Sequence, residues 1–84
     1  MRAIYSADIA RDISGKDEEM IDIKGVSFLD SVLKMICEKY PALKKEVDDG
    51  DILVLHNGET LDDTEKKKVK DTDTIEFAPV ILGG

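Results

Sequence analysis

The 84-residue chain has one cysteine, one histidine, two prolines and no tryptophan. A single thiol excludes an internal disulfide framework and a cysteine-based metal site. A single imidazole excludes a multi-histidine site. Acidic residues outnumber basic ones, 19 to 12, for a formal net charge of −7. That balance argues against nucleic acid, whose phosphates need a basic footprint. It favours instead a partner with a basic docking face. No window approaches the roughly 18 apolar residues of a membrane span. The start, Met1-Arg2-Ala3-Ile4-Tyr5, lacks the apolar core of a signal peptide. We therefore expect a cytoplasmic protein with neither a nucleic-acid nor a membrane partner. The length fits one domain spanning residues 1–84.

The motifs of common enzymes are missing too. There is no Gly-x-Ser-x-Gly elbow, no phosphate-cradling Walker loop and no His-Glu-x-x-His. Cys37 and His56 could meet in space as nucleophile and base. Cys37, however, falls on the apolar stripe of a helix and reads as a buried core thiol. His56 precedes a hairpin turn and reads as a solvated turn residue. Asp48, Asp49 and Asp51 bracket Gly50, but the spacing is too short for a calcium loop and no bidentate glutamate follows. The lysines from Lys66 to Lys70 read as a solvated face. The chain is thus expected to bind no metal or cofactor and not to be an enzyme.

What the sequence does contain is one clear helix. Leu29, Val32, Leu33, Ile36, Cys37 and Tyr40 recur at helical spacing over residues 28–40. Ser27 is placed to cap its start, and Pro41 stops it. Strands are expected at 2–7, 18–24, 52–55, near 59–61 and at 74–77. Ile9 and Ile13 suggest a short helical turn, and Leu43 and Val47 another. Asn57-Gly58 is the strongest hairpin dipeptide in the chain. The order β-β-α-β-β-β implies an α+β domain, a mixed sheet of four or five strands with one main helix across one face.

The ending, Phe77-Ala78-Pro79-Val80-Ile81-Leu82-Gly83-Gly84, is the unusual stretch. Ile75 and Phe77 are expected to point inward, with Phe77 anchoring the last strand. Pro79 cannot donate to a ladder, so pairing should end there and residues 78–84 should form a flexible tail. Val80, Ile81 and Leu82 then lie exposed, and contiguous exposed apolar residues mark an interaction site. Gly83 and Gly84 allow passage where no Cβ would fit. Such a tail offers one reactive group, the Gly84 carboxylate. A partner using ATP could convert it to an acyl-adenylate, and a sulfur or amine nucleophile could displace AMP. The partner must supply the groups that stabilise the oxyanion.

These residues resemble the β-grasp sulfur carriers and ubiquitin-like modifiers, in particular the small subunit of molybdopterin synthase and the archaeal small modifier proteins. The similarity covers the loop Tyr5 to Gly15, Tyr40-Pro41-Ala42-Leu43, the strand and hairpin Ile52 to Glu59, and Asp71 to Phe77 leading to the tail. Thr72 stands where the family commonly has glycine, and Ala78-Pro79-Val80 where relatives often have two prolines. The resemblance implies adenylation of Gly84 by a ubiquitin-activating-type enzyme and conversion to a thiocarboxylate. Sulfur would then go to a molybdopterin precursor, with a large synthase subunit holding the tail, or to a tRNA uridine. Alternatively, the activated terminus would form an isopeptide bond with target lysines. The resemblance also implies that Phe77, Pro79, Val80, Ile81 and Leu82 contact partners.

Overall fold

The computed structural model describes residues 1–61 and 64–80. Its elements are β1 (Arg2–Tyr5), α1 (Asp8–Ser14), β2 (Glu18–Met20), α2 (Leu29–Lys39), α3 (Pro41–Asp48), β3 (Ile52–His56), β4 (Glu59–Thr60) and β5 (Thr74–Pro79). The five strands form one sheet in the order β2-β1-β5-β3-β4. β5 therefore lies at the centre, parallel to β1 and antiparallel to β3. The expected α+β β-grasp architecture is present. The two places where single helical turns were expected hold short helices, α1 and α3.

Strand alternation decides which side chains enter the core. In register, Ala3 faces Ile75, Tyr5 faces Phe77, Val54 faces Phe77 and His56 faces Ile75. All of these are buried on one side of the sheet. Ala10 from α1, Leu29, Val32 and Ile36 from α2 and Leu43 from α3 join Ala3, Tyr5, Ile52, Val54, Ile75 and Phe77 in one apolar core. The opposite side of the sheet presents Leu53 and Met20, both exposed.

One sequence expectation is corrected at the helices and another is extended. Ser27 does not cap α2, because the helix begins one residue later, with Phe28 in the capping position and no side-chain cap bond. Its first free amides are taken by a distant loop instead: Leu29 N–H donates to the Lys67 carbonyl at 2.8 Å and Asp30 N–H to the Thr64 carbonyl at 3.2 Å. A backbone carbonyl satisfies the orphan donors as a side chain would. Pro41 does stop α2, but it also opens α3. Its fixed φ and missing N–H suit the first position of a helix.

The Asn57-Gly58 turn forms as expected, with φ of 51° and 83°, the left-handed pair a two-residue hairpin requires. His56, expected in solvent, is buried at 7% exposure. It continues the inward alternation of Ile52 and Val54, so its ring needs a partner. Its Nε2 lies 2.9 Å from Asp73 Oδ2. Burial pushes the Asp73 carboxyl up, but hydrogen bonds from His56, Asn57 and the Lys70 amide outweigh this and hold it below its usual range.

Candidate functional site

The site is built around the end of β5. Phe77 is 0% exposed. Its ring stacks on Tyr5, centroids 5.6 Å apart and planes 17° from parallel. Tyr5 in turn meets the edge of Tyr40 at 5.8 Å. Phe77 thus anchors the strand, but it has no surface to offer, and its expected role as a partner contact is corrected.

The backbone at Phe77 is held as firmly as its ring. Its carbonyl accepts from two successive amides, Ser6 at 3.1 Å and Ala7 at 3.0 Å. The Ser6 hydroxyl donates to Glu76 at 2.6 Å. Arg11 donates to the Ser6 carbonyl at 3.0 Å and pairs with Asp8. On the other flank, Ala78 lies opposite Leu53 and Pro79 opposite Ile52. The strand therefore runs two residues beyond Phe77, and Ala78 is buried at 7% exposure. Residues 78 and 79 belong to the sheet rather than to a flexible tail, because β3 extends far enough to pair with them. Pro79 is the last strand residue, and Val80 beyond it is 39% exposed. Leu53, opposite Ala78, and Ile9 in α1 are also exposed apolar side chains. Ile81, Leu82, Gly83 and Gly84 lie outside the described residues.

Sequence reasoning missed the polar centre behind this anchor. The Glu19 carboxylate accepts the Tyr5 hydroxyl at 3.1 Å and the Tyr40 hydroxyl. It also accepts the Lys39 ammonium, with Lys16 3.6 Å away. Burial of Glu19 favours its neutral form, yet the hydrogen bonds from Lys39, Tyr40 and Tyr5 prevail and lower its pKa from 4.5 to about 2. The Tyr5 phenol is pushed up, first by burial and then by the Glu19 charge. The available signal was an acid alternating into the apolar face of an edge strand, where it must be paired.

A group whose folded pKa is depressed stabilises the fold above its unfolded pKa and loses that contribution as pH falls through the folded value. Glu19→Gln should therefore cost about 2 kcal/mol at neutral pH, after discounting the half-exposed Lys39 partner. The two proteins should converge as pH falls from 4.5 toward 2. Urea unfolding across that range measures this, and a constant gap down to the acid end would contradict it.

Among the described residues no cluster of His, Cys, Asp and Glu could hold a metal ion. No helix there is long and apolar enough to cross a membrane. A cleft of about 450 Å³ between α2, α3 and β3 is lined by Leu33, Cys37, Val47, Val54 and Leu61. Cys37 is half-buried rather than fully enclosed, and burial pushes its thiol up, away from the nucleophilic thiolate. His56 is engaged by Asp73. Among the described residues no hydrogen bond joins Cys37 to His56.

The comparisons with known proteins agree with this geometry. The chain is similar to SAMP1 from Haloferax volcanii, at 27% identity and a TM-score of 0.73 over 100% of this chain and 98% of that one. It is similar to a putative molybdopterin converting factor subunit 1 from Pyrococcus furiosus, at 21% identity and a TM-score of 0.74, covering 95% of each chain. A third neighbour comes from a complex of subunits 1 and 2 of the molybdopterin-converting factor from Helicobacter pylori 26695. There the identity is 20% and the TM-score 0.65, over 99% of this chain and 96% of that one. No curated protein sequence matches. The model of the ThiS family matches residues 8–84. The chain belongs to the ThiS family, among the β-grasp sulfur carriers and ubiquitin-like proteins.

Proposed function

We propose that this protein is a cytoplasmic sulfur carrier whose working group is the Gly84 carboxylate. The observation that carries this reading is the ThiS match, which runs through residue 84. The firmly anchored β5 supports it, since it presents the tail from a fixed point. A ubiquitin-activating-type enzyme binds the chain and ATP. A carboxylate oxygen of Gly84 attacks the α-phosphorus, releasing pyrophosphate and leaving an acyl-adenylate. Hydrosulfide from a sulfur donor then attacks the acyl carbon, expels AMP and loses its proton, which leaves the thiocarboxylate. A glycine at the reacting position minimises crowding around the tetrahedral intermediate. The partner supplies the nucleotide site and the oxyanion donors, and this chain acts as carrier rather than catalyst.

Pro79, Val80, Ile81 and Leu82 are the proposed partner contacts, with Gly83 giving clearance. The two-subunit complex from Helicobacter pylori supports a larger synthase subunit as one partner. The sulfur then serves molybdopterin synthesis or tRNA thiolation. The test is incubation with a cognate activating enzyme, ATP and a sulfur donor, followed by intact mass spectrometry. Exchange of one oxygen for sulfur at Gly84 is expected. Its absence with an active enzyme overturns the reading, and Gly84-linked lysine adducts in its place would reassign the chain as a protein modifier.

A further inference from the structure

Half of the basic side chains in this acidic protein are accounted for by ion pairs. Arg2, Arg11, Lys16, Lys39, Lys44 and Lys45 each contact a carboxylate. Lys66, Lys67, Lys68 and Lys70 are different. All four are exposed, and none is paired with an acid among the described residues. They sit within five residues of chain, flanked by Glu65 and Asp71.

This loop is held in place by the backbone. The Lys67 carbonyl accepts from Leu29 N–H, Val69 N–H donates to Ser27 at 3.1 Å, and Phe28 forms a bridge with Lys68. The bridge sets Phe28, 38% exposed, opposite Lys68. The result is an exposed ring beside one lysine of a run that the backbone pins at the start of α2. The loop leads into the start of β5, whereas the tail leaves from its end.

We propose that Phe28 and Lys66, Lys67, Lys68 and Lys70 form a docking surface for an acidic protein segment that carries a bulky apolar side chain. Charge complementarity identifies the partner. A few carboxylates match the lysines, and the apolar side chain covers Phe28. Single-stranded nucleic acid could also pair a ring with lysines, but it carries a phosphate at every nucleotide and would meet the acids that flank the lysines in sequence, Glu65 and Asp71, whereas a segment with only a few carboxylates can set them against the lysines alone. Because the surface and the tail use opposite ends of β5, the segment can hold the protein while the tail lies in another partner's site.

Panning random displayed peptides against the full chain tests this. Acidic peptides with one bulky apolar residue should be enriched. Their binding should shift the amides of Phe28 and Lys66 to Lys70. Lys66→Glu with Lys68→Glu should weaken them about tenfold, and Phe28→Ser by a similar factor. Removing Gly83 and Gly84 should change nothing, which separates this proposal from the chemistry of the tail. No enrichment, enrichment of non-acidic peptides, or affinity indifferent to charge reversal overturns the proposal. A short single-stranded RNA that binds these residues more tightly than the selected peptides overturns it as well.

Discussion

A chain shortened by its last residue, ending at Gly83, should keep its fold and lose its capacity to accept sulfur. Among the described residues Phe77 and Ala78 are the last buried ones, and Pro79 is the last of the sheet. Stability should therefore change by no more than about 0.5 kcal/mol. Activity is another matter. Removing one residue withdraws the carboxylate by about 3.3 Å and leaves Leu82 beside the reacting glycine. A misplacement of about 1 Å already costs on the order of a hundredfold in rate. Thiocarboxylate formation should fall by at least that factor, read by intact mass under single-turnover conditions. Equal rates for the two chains would show that the terminal glycine is not the reacting position.

Phe77→Ala should do the reverse, damaging the fold while leaving the tail's sequence intact. Removing a fully buried phenylalanine costs about 3–5 kcal/mol, including the cavity left behind. The stack on Tyr5 accounts for about 1 kcal/mol of that. An 84-residue domain has only about 4–13 kcal/mol in hand. The melting temperature should fall by roughly 15 °C or more. Phe77→Leu, which keeps most of the volume, should recover about half of the loss. A Phe77→Ala protein that melts within a few degrees of the parent would mean that the ring does not anchor β5. In a chain destabilised this way, sulfur acceptance should return on cooling, which distinguishes loss of fold from loss of a contact.

Much of the fold was legible because the local signals agree. The apolar stripe from Leu29 to Tyr40 set α2 to within a residue of its observed bounds. Asn57-Gly58 set the β3–β4 turn. What could not be read locally is what distant segments supply. Nothing near Ser27 shows that the carbonyls of Lys67 and Thr64 will occupy the helix amides it was expected to cap. Nor does periodicity show that β5 will lie parallel to β1, since that pairing depends on which edges remain free. His56 was misplaced because its turn context was weighed above its alternation with Ile52 and Val54. Pro79 was read correctly as a strand end, but Ala78 was given to the tail because the reach of β3 along it was not known. Phe77 was assigned both an anchoring and a partner-contact role, and a ring with no exposed surface can serve only the first.

The central place of β5 has a mechanical consequence. A partner that draws on the tail pulls along the strand axis. The ladder bonds to β1 and β3 run across that axis, so they are loaded together in shear. Breaking them requires many to fail at once, whereas a strand pulled across its ladder peels one rung at a time. The lock at the Phe77 carbonyl, where two amides from the β1–α1 junction converge, sits where the load enters the sheet. Tension applied at the carrier's terminus is therefore taken up at the middle of the fold, and the domain can be held or dragged by its tail without unravelling from it.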